Sequence, residues 1–248
     1  MKYLIIILTT WLLDTLSVSA HTDLAMTVMT GNAEENQQVQ VENKKAQFRV
    51  GYSEEHLVPV CGFFDVYDGR FAYYSKIRQV LFAGLSDNPE IRFQIIPSFS
   101  PECVLDIEFV RNSNKYFMNY HQCEPMLWRN LEKPEKVKVK KYRKEIKKES
   151  VDLIKSLFDV SITQVRYWEI PKGDVEFTVM ADGIGYFFTL GWHGFRSGYT
   201  RSPSEGTKMK KLVDIGYELI ELAKSNKKIV AIDDKLQVKI ENLINELK

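Results

Sequence analysis

The sequence predicts an α+β protein: an antiparallel sheet built from hairpins, with helices packed on one side. Three observations carry this. Two segments, residues 103–123 and 175–190, alternate apolar and polar residues about a turn signal. Residues 209–223 and 236–247 repeat apolar residues at helical spacing of three and four. Two further helical stretches, after Gly69 and after Glu149, separate the alternating segments.

The N-terminal stretch MKYLIIILTTWLLDTLSVSA has a positive start at Lys2, an apolar run from Tyr3 to Leu13 and a Val18-Ser19-Ala20 end. These are the parts of a secretory signal peptide, so residues 1–20 are expected to be cleaved and the chain exported, periplasmic or extracellular. The apolar run is shorter than the roughly 20 residues a membrane-spanning helix needs. Residues 21–47 are too polar for a buried element and read as a flexible leader. The globular domain is then 48–248, with two stretches of structure, 48–132 and 133–248. The full chain's apolar share of 44% and charged share of 27% are ordinary for a folded protein, and its net charge of +1 speaks against a dedicated nucleic-acid binder. Three cysteines (Cys61, Cys103, Cys123) permit at most one internal disulfide, so a hydrophobic core must hold the fold.

Taken in order, Tyr74, Ile77, Val80 and Leu81 give the first helix, stopped by Ser86-Asp87-Asn88-Pro89. Ile91, Phe93 and Ile95 alternate with Arg92 and Gln94 as a strand. The segment 103–123 is a hairpin about Asn112-Ser113-Asn114. A two-residue loop pairing Asn112 with Lys115 puts Leu105, Ile107 and Phe109 on one face with Tyr116, Met118 and Tyr120. It sets Asp106 opposite His121, and it points Cys103 and Cys123 to opposite faces, which argues against a disulfide between them. Residues 133–148 carry nine Lys or Arg against two Glu. Alternation of Val137 and Val139 with lysines reads as an edge strand protected by charge; Lys138 and Lys140 are candidate contacts for an acidic partner.

Ser150 is placed to cap a helix with Val151, Ile154, Phe158, Val165 and Trp168 on one face. Asp182-Gly183 marks a type I′ turn, which pairs Ala181 with Ile184, Val179 with Tyr186, Phe177 with Phe188 and Val175 with Leu190. Gly191, Gly194 and Gly198 suggest a bent, loop-like stretch beyond it. Ser202-Pro203-Ser204-Glu205 reads as a capping box before a helix carrying Met209, Leu212, Val213, Gly216, Leu219, Ile220 and Ala223. A last helix, Asp233 to about Leu247, carries Leu236, Ile240, Leu243, Ile244 and Leu247.

Asp182-Gly183 with Tyr186 and Phe188, followed by Ser202-Pro203, Gly206-Thr207 and Met209, resembles a pattern in uncharacterised exported bacterial proteins. There an aromatic residue precedes the Ser-Pro, where this chain has Arg201. The resemblance covers the C-terminal third and implies export, with no known activity.

The sequence holds no G-x-S-x-G, H-E-x-x-H, P-loop or C-x-x-C motif. His121 and Cys123 form an H-x-C pair with no second pair near it in sequence, so a metal site is not expected. Asp106, His121 and Cys123 supply the residue types of a nucleophilic site, but His121 and Cys123 stand two apart on one strand, and a half-exposed hairpin face accounts for them. No cofactor is expected. Trp192, His193, Arg196, Tyr199 and Arg201 combine aromatic and cationic groups in a glycine-rich stretch, a composition common at interface hot spots, although Trp192 and Phe195 can equally serve as packing. The resulting expectation is an exported, non-enzymatic binding protein of the cell envelope, an inhibitor or immunity-type protein acting on a protein partner or another envelope component. It would use residues 191–201 together with Lys138 and Lys140. The alternative is an envelope hydrolase with a dispersed site.

Overall fold

The computed structural model describes residues 47–49, 53–60, 71–169, 176–178, 182–191 and 196–248. The expected signal peptide, nearly all of the expected leader, and Cys61, Val175, Val179, Ala181, Trp192 and His193 lie outside these residues.

Seven strands form one mixed sheet: β2 (Ile91–Pro97), β3 (Cys103–Val110), β4 (Lys115–Glu124), β5 (Lys138–Ile146), β7 (Ile184–Leu190), β8 (Arg196–Arg201) and β9 (Ile229–Val230). Their order is β8-β7-β2-β3-β4-β5-β9, antiparallel throughout except for the short β5–β9 pairing. A separate two-stranded parallel pair joins β1 (Gln47–Arg49) to β6 (Glu176–Thr178). The helices are α1 (Phe71–Val80), α2 (Lys148–Thr163), α3 (Lys208–Lys224) and α4 (Asp234–Leu247). The class is α+β, with strands of both stretches combined in one sheet.

Alternation along each strand separates two faces. Ile91, Phe93, Ile95, Leu105, Ile107, Met118, Tyr120, Tyr186, Phe188 and Leu190 point to the first, where α2, α3 and α4 cover them in the main core. Every expected stripe residue of α3 and α4 is buried there, from Met209 to Ala223 and from Leu236 to Leu247. The second face carries Val104 and Cys123, on which Tyr73, Ile77 and Leu81 of the α1 stretch pack with Leu127 and Val137. Three helices thus share one side of the sheet while α1 occupies the other.

Several local expectations are corrected. The pairing of Phe177 with Phe188 does not form: Phe188 lies between Phe93 of β2 and Gly198 of β8, and Phe177 pairs with Phe48. A strand with apolar residues on one face accepts any partner that continues that face, and β2 offers three more of them. In the 103–124 hairpin the expected faces are seen, but the register is shifted by two. Val110 pairs with Lys115, and Arg111–Ser113 form a 3₁₀ turn closed by Asn114 in the left-handed region (φ 52°). Asp106 therefore stands opposite Asn119, and His121 opposite Val104. Cys103 and Cys123 are free, buried thiols on opposite faces.

Helix starts differ too. The cap of α3 is Thr207, whose side chain accepts from the Lys210 amide. Ser202 instead takes a positive φ of 40° and accepts the Ile184 amide at 2.8 Å. The Glu54 carboxylate, far upstream, receives the Ser204 amide and both the Ser204 and Thr207 hydroxyls. Ser150 lies within α2 and accepts the Ile232 amide rather than capping the helix.

Candidate binding face

Beyond α1 the second face of the sheet continues over β2, β7 and β8, where Gln94, Gly185 and Phe187 are buried and the other outward residues are partly exposed. The outward positions there are Arg92, Gln94 and Ile96 on β2, Gly185, Phe187 and Thr189 on β7, and Ser197, Tyr199 and Arg201 on β8, as the pairing registers require. Phe187 and Tyr199 stack across the strands with ring centroids 4.8 Å apart, and Phe187 divides the surface into two clefts of about 390 Å³ each.

The first cleft is floored by Arg92, Gln94, Thr189 and Ser197 and walled by Phe82, Leu85 and Phe187, with Arg78 and Asp87 at its exposed rim. Arg92 is fixed from behind. Its Nε donates to Asp106 Oδ1 at 2.8 Å and its Nη2 to Asp106 Oδ2 at 2.7 Å, with a further bond from Nη2 to the Ser86 carbonyl. Its guanidinium lies 4.2 Å from the centre of the Phe82 ring. Burial pushes Asp106 above the usual carboxylate range, and the bonds and charge of Arg92 oppose that rise.

The second cleft is an aromatic groove between Tyr73, Tyr74, Phe99 and Trp128 on one side and Tyr199 and Arg201 on the other. Phe99 is 71% exposed and Trp128 48%, well beyond what packing requires of large apolar side chains. Trp128 is nonetheless held. The fully buried carboxylate of Glu102 accepts the Leu127 amide at 2.7 Å, the Trp128 amide at 2.9 Å and the Tyr73 hydroxyl at 2.8 Å. Tyr73 in turn meets the indole edge-on, with centroids 4.9 Å apart. The other end of the groove is tied by Ser98, whose hydroxyl and amide both donate to the Gly183 carbonyl.

The sequence-predicted residues scatter over this geometry. The stretch 196–201 is a regular strand, β8, rather than a loop. Tyr199 and Arg201 point into the aromatic groove as expected of a contact surface. Arg196 projects to the opposite, helix-covered side and pairs with Asp159 of α2. Lys138 and Lys140 are exposed on β5, five strand positions from β8, about 24 Å away at the usual strand spacing. They cannot share one small contact with Tyr199, which corrects the expectation of a joined surface.

The Asp106, His121 and Cys123 grouping dissolves for the same reason as the register. Asp106 is occupied by Arg92, and His121 Nδ1 is bonded to the Leu81 carbonyl at 2.9 Å. Burial holds the imidazole below its ordinary range and pushes the thiols up, Cys103 to about 11 and Cys123 to about 12. Neither thiol is thereby primed as a nucleophile, since the thiolate is the reactive form. Among the described residues no group of three or more His, Cys, Asp or Glu side chains is placed to hold a metal ion. No described helix is long and apolar enough to cross a membrane.

Gln94, Glu102, Phe99 and Trp128 are the residues that sequence reasoning passed over. Gln94 sat at an outward position of an alternating strand, where a polar side chain needs no explanation. Exposed Trp128 and Phe99 follow no periodicity. Comparison of the chain with protein-family models, curated proteins and solved structures found no match.

Proposed function

We propose that the protein is an exported, non-enzymatic binding protein of the cell envelope that grips a protein partner through the aromatic groove, as an inhibitor or immunity-type protein would. The observation that carries this is the pairing of exposure with rigidity at Trp128. An indole left half in solvent, yet fixed through its backbone by a buried carboxylate and through its ring by Tyr73, is a pre-organised anchor. With Tyr199 and Arg201 across the groove it has the Trp, Tyr and Arg composition of interface hot spots, and its rigidity lowers the ordering cost of binding. Export is supported by the charged-apolar-small order of residues 1–20.

The test is affinity capture from envelope extract with the tagged full chain against a Phe99→Ala, Trp128→Ala double variant. The variant is expected to keep its melting temperature and to lose the captured protein. Equal capture by a stable double variant would reject the groove and move attention to Lys138 and Lys140.

A further inference from the structure

We infer that the cleft floored by Gln94 is a binding site for a small carboxylic acid with an apolar body. It lies across Phe187 from the aromatic groove and goes beyond the reading of that groove as a partner surface. Gln94 is only 3% exposed, and its Nε2 finds no hydrogen-bond partner. Buried polar groups are nearly always paired, and an unpaired one is costly. Here Gln94 lines a cleft of about 390 Å³, within the range of small-ligand sites. The Nε2 atom is closed to solvent in this conformation, and an acceptor in the cleft recovers the missing bond once the side chain turns toward it.

The surrounding groups narrow the ligand. Thr189 and Ser197 add hydroxyl donors to the floor. Arg92 uses Nε and Nη2 for Asp106 and Ser86, and none of these bonds involves Nη1. A carboxylate is an acceptor-only group with two oxygens and fits such a floor. A dianion such as phosphate fits poorly, because Asp106 already balances Arg92 and the rim carries the carboxylate of Asp87 as well as Arg78. Phe82, Leu85 and Phe187 form an apolar wall that takes a hydrocarbon or aryl body.

Phenylacetate is the probe, titrated calorimetrically into the full chain, with phenylacetamide as the neutral control. Phenylacetate is expected to bind at least tenfold more tightly than phenylacetamide, and Gln94→Leu to weaken it at least tenfold while the fold is retained. If Gln94→Leu does not fold, Ser197→Ala is expected to weaken phenylacetate several-fold. No phenylacetate binding at millimolar concentration, equal binding of the amide, or an affinity untouched by the folded variant would overturn the assignment. Gln94→Leu leaves Phe99 and Trp128 in place, so loss of carboxylate binding and loss of partner capture are separable results.

Discussion

The ring of Phe93 fills the space beside Gly216 in which any larger residue would place its Cβ; the nearest ring carbon, Cε1, lies 2.4 Å from that position. In an unhindered helix Ala is favoured over Gly by about 1 kcal/mol. Here Phe93 is fully buried and stacked on Phe188, with centroids 4.8 Å apart, so it has nowhere to go. Gly216→Ala is expected to lose about 1–3 kcal/mol, the usual cost of overpacking, as read by the urea midpoint. An unchanged or raised midpoint would mean that α3 can slide away from the sheet.

Glu102→Ala removes one carboxylate that serves three donors. Bonds to charged acceptors contribute about 1.5–3 kcal/mol each, and the donors left behind are poorly solvated. The expected loss is about 3 kcal/mol or more, with partner capture falling alongside it because Trp128 is released. A loss below about 1 kcal/mol would show that water replaces the carboxylate.

Stability is expected to fall with acidity through His121. Its imidazole is 5% exposed and held neutral by burial, while the Leu81 carbonyl pulls in the other direction. The unfolded chain takes up a proton near pH 6.5, and the folded chain does so only at lower pH. The contribution is therefore intact above about 6.5 and is lost as pH falls toward the lowered folded value, with a slope of at most about 1.4 kcal/mol per pH unit. Urea midpoints at pH 7.5, 6.5 and 5.5 should show it. His121→Asn, which can still donate to Leu81, should flatten the slope; an unaltered slope in that variant assigns the effect elsewhere.

Cys103 and Cys123 are expected to resist iodoacetamide at pH 8 in the native protein and to react fully in denaturant. Burial raises both above the ordinary thiol range, so the thiolate is scarce and shielded. Peptide-resolved mass spectrometry separates them from Cys61. Fast native labelling of either, or a Cys103–Cys123 bond in a non-reducing map, would contradict the opposed faces of the hairpin.

What was legible in the sequence was whatever depended on neighbours within a few residues. The apolar stripes of α3 and α4 are local facts, and each residue named for them is buried. The 103–124 hairpin yielded its faces because period-two alternation survives a shift of two, whereas its exact register depended on a 3₁₀ turn at Arg111–Ser113 that no residue there announces. Asp182-Gly183 misled for a different reason. The φ values of a type I′ turn are not adopted there, since Asp182 is not among the positive-φ residues and Gly183 is at 156°, and the partner of Phe188 is Phe93, contributed from another part of the chain. Ser202 misled likewise, since its amide goes to the distant Ile184 carbonyl and the cap of α3 is Thr207, held by Glu54. The candidate face is assembled from α1, β2, β7, β8 and the loop after β4, so Gln94 and Trp128 had no local signal to give.

The position of β2 has a consequence in time. Its neighbours in the sheet are β3, a few residues on, and β7, whose Phe188 lies about 95 residues beyond Phe93. Closing so long a loop is costly before any contact repays it, and sheets dominated by such pairings fold slowly. Until residues 184–190 have emerged, β2 offers a bare hydrogen-bonding edge with Ile91, Phe93 and Ile95 beside it, a template for unwanted strand addition. Under the proposed export that delay would be an advantage, because the sheet would not close prematurely around the first half of the chain before it is threaded across the membrane.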